Sequence, residues 1–259
     1  MLIPMRDGVH LSADIYSPRE SGQFPALLIM TPYDNNGSRE SAYWYAERGY
    51  VVAAADVRGR YDSEGTWDPF GEKHKTDGYD LVEWIAEQDW STGKVGMIGG
   101  SYLGWTQWWT ATTVPPHLAA IAPQVAPPDQ FENLPYQNGV LVGGWMLDWA
   151  AMLSGRTQQK AGPGGYDGWS ENRQDPPHTP YLEINESRGL RNASWFEQWY
   201  LQNKSTDPYW AGISYQSRES YSRIAVPSLS FTGWFDANYP GSPMNYLGMK
   251  ENGATAEAR

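Results

Sequence analysis

Short, nearly unbroken apolar runs punctuate the first half of this chain. Residues 25–30, 50–55 and 95–98 each read as a strand covered on both faces. Between them stand segments of helical period. Residues 38–48 form one, stopped by Gly49, and residues 77–88 another, with Leu81, Val82, Ile85 and Ala86 on one face. A further strand is expected over 118–122. Upstream, residues 2–5 and 10–16 read as strands around Asp7-Gly8, a strong hairpin signal. Leu11, Ala13 and Ile15 alternate with Ser12 and Asp14, which suits a half-buried edge strand. Strands that alternate with helices in this way predict an α/β fold, a mainly parallel sheet wrapped by helices.

After Pro123 the texture changes. Residues 126–223 are rich in Trp, Tyr, Pro, Gly and amides and hold no further buried-strand run. Helices are expected over 140–153, carrying Trp145 and Trp149, and over 194–202, carrying Trp195, Phe196 and Trp199. Residues 163–180 read as loop. Strand character returns at 224–231, and 246–251 looks helical. The expected organisation is an α/β core over 1–125, an inserted, mainly helical cap over 126–223, and a return to the core over 224–259. No internal repeat or low-complexity tract is visible.

In open sheets of this type the site lies beyond the carboxyl ends of the strands. Tyr33, Asp56, Arg58 and Ser101 all stand just past such ends. Ser101 carries the strongest signal. An apolar strand runs into Gly99-Gly100-Ser101 and then into the aromatic helical segment of Trp105, Trp108 and Trp109. A strand that turns sharply into a helix at a glycine-flanked serine is a nucleophile elbow. Gly99 fits that pattern. Leu103 stands where the plain five-residue motif has its second glycine, which here comes one position later, at Gly104. An ordinary strand-turn-helix with a chance serine is the competing reading. Asp56 and Arg58 read better as a hydrogen-bonded pair bracing loops than as catalytic groups. Trp105, Trp108 and Trp109 read as packing.

Composition narrows the classes. Acidic residues outnumber basic ones 30 to 19, a formal charge of -11, which argues against a nucleic-acid partner. No cysteine is present, so disulfides, thiolate catalysis and cysteine-held metals are excluded. No apolar run reaches membrane-spanning length. The opening Met1-Leu2-Ile3-Pro4-Met5 lacks the charged head and long apolar core of a secretion signal, which leaves a cytoplasmic location as the default and the compartment otherwise open. Oligomeric state is not legible. The 14 Trp and 17 Tyr can fill a core or line a cleft.

Five segments in order resemble one group of serine hydrolases. They are Met5-Arg6-Asp7-Gly8; Thr31-Pro32-Tyr33-Asp34; Asp56-Val57-Arg58-Gly59 with Ser63-Glu64-Gly65; Gly99-Gly100-Ser101-Tyr102-Leu103-Gly104; and Gly233-Trp234-Phe235-Asp236. The group comprises X-prolyl dipeptidyl-peptidases, cocaine-esterase-like enzymes, α-amino-acid ester hydrolases and glutaryl acylases. Tyr after the serine and Gly three after it are specific to this group. The resemblance implies an α/β-hydrolase core without metal or cofactor. It implies Ser101 as nucleophile, Asp236 as the triad carboxylate, and an oxyanion hole made by the Tyr33 hydroxyl and the Tyr102 N–H. A serine hydroxyl needs a base to take its proton, and a carboxylate to orient that base. Trp149 and Tyr136 are the candidates for lining the acyl pocket.

The base is the missing part. In this group the histidine follows the acid, whereas His10, His74, His117 and His178 all precede Asp236. Only His178, in the cap loop, is placed to hang over a site. The expectation is therefore an incomplete chain, lacking the last part of the core and the group's C-terminal β-sandwich domain. After Asp236 comes Ala237-Asn238-Tyr239, without the acidic pair that would hold a substrate amine. The expected substrate is a small ester or amide. Alternatives are an inactive fragment or binding shell of the same fold, an X-Pro dipeptidyl-peptidase, and a carbohydrate- or aromatic-binding protein built on the Trp-rich cap.

Overall fold

The computed structural model describes residues 1–129, 131, 133–158 and 193–259. The loop expected over 163–180, with His178, lies outside the described residues.

Hydrophobic alternation builds the sheet. Strands β1 (Leu2–Pro4), β2 (His10–Tyr16), β3 (Phe24–Thr31), β4 (Val51–Asp56), β5 (Ser91–Gly100) and β6 (Leu118–Gln124) lie in the order β1-β2-β4-β3-β5-β6. The pairs β1/β2 and β2/β4 are antiparallel; the rest are parallel. Successive side chains point to opposite faces of a strand, and the core divides accordingly. Leu27, Ile29, Val52 and Ala54 meet Ala42 and Ala46 of helix α1 (Arg39–Ala46) on one face. Leu28, Met30, Ala53, Ala55 and Met97 meet α2 (Lys73–Ala86) and α3 (Tyr102–Ala111) on the other. Burial of each large side chain stabilises by roughly 1.5–3 kcal/mol. Strands β3 and β4 are therefore apolar up to their last residues, Thr31 and Asp56, and the parallel sheet wrapped by helices is as expected from the sequence.

Several boundaries differ. Strand β2 is not an edge strand: β1 takes the edge, and β2 is paired on both sides. Helix α1 begins after a 3₁₀ turn over Asn35–Ser38, and α2 starts at Lys73, before Asp77. Over 224–231 no full strand forms. The segment runs parallel beside β6 through two bridges, Ile121 with Ser228 and Gln124 with Phe231. Its first ladder bond is the Ile121 N–H to the Pro227 carbonyl, 3.1 Å. Pro227 has no N–H to give the ladder, which shortens the pairing.

Beyond β6, a small hairpin of β7 (Tyr136–Gln137) and β8 (Val140–Leu141) precedes α4 (Gly143–Leu153). The helix thus starts three residues later than its apolar pattern suggests. Helices α5 (Ser194–Leu201), α6 (Pro208–Ile213), α7 (Arg218–Tyr221) and α8 (Gly241–Asn252) follow. Among the described residues no helix is long and apolar enough to cross a membrane.

Candidate active site

Ser101 sits between β5 and α3 with φ 58° and ψ −122°. That is a left-handed conformation which a non-glycine residue adopts only at a cost of order 1–3 kcal/mol. The surrounding bonds hold it there. Its N–H donates to the Gln124 carbonyl at 2.9 Å, and its own carbonyl accepts from Gly104 and Trp105 at 2.9 and 3.0 Å. The displaced glycine of the motif has a steric reason. A Cβ on Gly99, whose φ is +133°, would lie 2.5 Å from the Leu103 Cβ, so the leucine occupies the space that glycine leaves. A Cβ on Gly104 would lie 2.8 Å from the Gln124 carbonyl oxygen and 3.0 Å from the Ala126 Cβ. Gly104 is thus the point where α3 meets the end of β6.

Tyr102 opens α3, where the first N–H groups of a helix have no intrahelical acceptor. Its ring is buried between Trp67, Phe70, Trp105 and Trp149. Its hydroxyl accepts from the Phe70 N–H at 2.9 Å and lies 3.2 Å from His74 Nε2. Burial pushes this phenol well above its usual pKa and keeps it neutral.

Tyr33 stands two residues past the end of β3, its N–H donating to Thr31 Oγ1 at 3.0 Å. Its hydroxyl accepts from Trp149 Nε1 at 3.1 Å. Strands β3 and β5 are adjacent and parallel, so Tyr33 and Ser101 emerge at the same end of neighbouring strands. Gly100, Gln124 and Phe231 lie in one row across β5, β6 and the segment beyond. Asp236 follows Phe231 by five residues, in the turn region after that row. Its carboxylate accepts from the Asn238 N–H at 2.7 Å, and its own N–H donates to the Gly233 carbonyl at 3.1 Å.

Tyr136 is buried away from this row. Its hydroxyl donates to the Trp199 carbonyl at 2.7 Å and its ring stacks on Phe131, centroids 4.6 Å apart. Trp149 is closer to the site, through Tyr33 and Tyr102. Trp105, Trp108 and Trp109 are all buried, with Trp108 stacked on Tyr215 and Trp109 under Lys75. Packing is what the sequence led us to expect of them.

Three histidines are described, and each is engaged elsewhere. His10 Nδ1 lies 3.0 Å from Glu64 at the surface. His117 Nδ1 lies 2.7 Å from Glu83, just before β6 and so at the opposite end of the sheet from Ser101. His74 is fully buried beneath the elbow helix, and burial lowers its pKa to about 4, so it is neutral. The sequence places His74 only by its order before Asp236. The signal that α2 and α3 touch was Gly78, a mid-helix glycine whose Cβ would fall 1.9 Å from Thr110 Oγ1.

Asp56 and Arg58 do brace loops, but with other partners. Asp56 Oδ1 accepts from the Asn35 N–H at 2.8 Å. Arg58 grips Asp77 through Nε, 2.9 Å, and Nη2, 2.5 Å, and pairs with Asp7 at 3.1 Å. A cavity of about 630 Å³ opens beside Arg58, Trp67 and Trp195, and none of Tyr33, Ser101, Tyr102 or Asp236 lines it.

A mostly parallel sheet in this strand order, with a left-handed serine between β5 and α3, defines an α/β-hydrolase fold. Comparison narrows this: residues 7–255 match the family model described as X-Pro dipeptidyl-peptidase (S15 family), and the chain belongs to that family. It is 31% identical, over its whole length, to a cocaine esterase of Rhodococcus sp. (strain MB1 Bresler), of which the match covers 47%. Among solved structures it resembles a selenomethionine-labelled α-amino acid ester hydrolase, with TM-score 0.80 and 25% identity over 97% of this chain and 45% of that one. It also resembles an aminopeptidase from a marine sediment archaeon, Thaumarchaeota archaeon, with TM-score 0.78 and 24% identity over 97% of this chain and 45% of that one. The chain thus spans about half the length of these relatives.

Proposed function

We propose that this chain carries the nucleophile half of a serine hydrolase that cleaves small carboxylic esters or amides through an acyl-enzyme. The observation that carries this reading is the left-handed Ser101 at the end of β5, backed by Gly99 and Gly104. Ser101 Oγ attacks the acyl carbon while its proton passes to an imidazole oriented by Asp236. The oxyanion that forms is met by the Tyr33 hydroxyl and the Tyr102 N–H, where each donor is worth roughly 3–4 kcal/mol. The imidazole then protonates the leaving group, and water releases the acyl group by the reverse path. His10 and His117 do not supply that imidazole, because each is paired with a carboxylate away from the elbow, and His74 does not, because it is buried under α3 against the Tyr102 ring. In this reading residues 126–223 form a cap inserted into a core made of 1–125 and 224–259; Trp149 adjoins the site through Tyr33, whereas Tyr136, packed on Phe131, supports the cap rather than the acyl group.

Ester cleavage is favoured over dipeptide release by the 31% identity to an esterase and by the lack of acidic residues directly after Asp236. The family description supports the second reading, an X-Pro dipeptidyl-peptidase. An inactive shell of the same fold is the third, supported by the engagement of all three described histidines. Parallel assays on an activated short-chain ester and an X-Pro anilide separate them. Ester turnover abolished by Ser101→Ala supports the first. Faster release from the anilide selects the second. Equal rates for parent and Ser101→Ala overturn both.

A further inference from the structure

Trp149 touches the reaction through another residue. Its indole N–H points at the Tyr33 hydroxyl, 3.1 Å away. Phe70, Tyr102 and Trp199 lie near-parallel to its ring, at 5.9, 6.1 and 5.9 Å between centroids, and Trp195 meets it edge-on at 5.9 Å. The ring is 8% exposed, so protein aromatics rather than a ligand occupy its surface. An indole N–H can only donate, so the Tyr33 oxygen is the acceptor in this contact. A phenol that accepts in this way has one lone pair fixed, its rotation about C–O is restricted, and its own O–H is polarised toward stronger donation.

We infer that Trp149 is a positioning residue of the oxyanion hole: its indole N–H sets the direction and donor strength of the Tyr33 hydroxyl. The inference rests on the proposed role of Tyr33 and deepens it. It also replaces a simple pocket-wall role for Trp149. A wall is read in substrate affinity, whereas a donor that acts through Tyr33 is read in kcat.

The test is a double-mutant cycle in the full-length enzyme. Replacing Trp149 with benzothienylalanine keeps the bicyclic ring and removes the N–H. Trp149→Phe is the genetic counterpart. Either should lower kcat about tenfold with KM within about twofold, a fraction of the 10²–10³ lost when a whole oxyanion donor is removed. In a Tyr33→Phe background the same change should cost nothing more. An effect of equal size in both backgrounds, or one confined to KM, overturns the inference while leaving Tyr33 in place. Tyr33→Phe with unchanged kcat overturns the oxyanion role itself. A readout without turnover stands beside these: the indole N–H resonance of Trp149, assigned by its loss in the benzothienyl protein, should shift in Tyr33→Phe. An unmoved resonance overturns the hydrogen bond and the inference with it.

Discussion

The Leu103 side chain fills the volume that a Cβ on Gly99 would claim, at 2.5 Å from its own Cβ. The two residues are complementary across the turn between β5 and α3, and the fit explains why Leu103 stands where a plainer elbow has glycine. Gly99→Ala would meet both that clash and a φ of +133°. The expected loss is about 2–4 kcal/mol of folding stability, the sum of a strained backbone and an overpacked contact. In a Leu103→Gly background, which removes the clashing Cβ, Gly99→Ala should cost the backbone part alone. Urea unfolding of the two single variants and the double variant checks this, and no cost in that background would mean that backbone strain contributes nothing.

Arg58 and Asp77 form a buried ion pair, with side chains 9% and 1% exposed. Burial raises the Asp77 pKa, and the guanidinium opposes that shift. Removing one partner strands the other's charge. We expect Arg58→Met and Asp77→Asn each to cost about 3–5 kcal/mol. The double variant should cost less than the sum, because it leaves neither charge behind. Additive losses in denaturant titrations would show that the pair does not act as a unit.

Much of this architecture was legible because buried parallel strands advertise themselves. Residues 25–30 and 51–55 are apolar at every position and too short for a buried helix, which is what a strand covered on both faces looks like. Ser101 was legible through Gly99 and the abrupt change from strand to aromatic helix. Contacts between distant residues were not. Nothing near Arg58 says that its partner is Asp77, on a helix whose first turn lacks apolar periodicity. Trp149 and Tyr33 are 116 positions apart, and a tryptophan in an apolar helix reads as packing whether or not its N–H has a target. The segment 224–231 misled because its composition is that of a strand, while Pro227 withholds a ladder donor.

Two buried groups should tilt stability against pH in opposite directions. Burial lowers the His74 pKa from 6.5 to about 4. The unfolded chain therefore binds the proton more readily, and the stability present above pH 6.5 is lost as pH falls toward 4, by about 3 kcal/mol in full. Burial raises the Asp56 pKa from 3.8 to about 7, despite the bond from the Asn35 N–H. Here the folded state holds the proton, so stability present below pH 4 is lost as pH rises through 7. Asp56→Asn should remove the second slope and leave stability rising with pH between 4 and 6.5. Unfolding free energies at half-unit steps of pH measure this, and an unchanged profile in Asp56→Asn would place the charged form of Asp56 in the fold.

The last expectation concerns the surface beyond β6. Among the described residues, the segment 227–231 pairs with β6 on one side only, through the ladder that begins at Pro227. Leu229 is 61% exposed, Trp234 is 80% exposed and Phe235 is fully exposed, with Phe231 partly so. On the neighbouring α8, Met244, Tyr246 and Leu247 are exposed as well. Strand edges with free backbone groups invite pairing, and a contiguous apolar patch invites association. The net charge of -11 opposes this through long-range repulsion, which salt screens over about 8 Å at physiological ionic strength. The 259-residue chain should therefore elute as a mixture of associated species in physiological salt and shift toward monomer at low salt. Trp234→Ser with Phe235→Ser should move it toward monomer at both, without altering the urea midpoint, because neither side chain is buried. Size-exclusion chromatography with light scattering decides the matter, and a monodisperse monomer of the unaltered chain in physiological salt would show that this surface does not drive association.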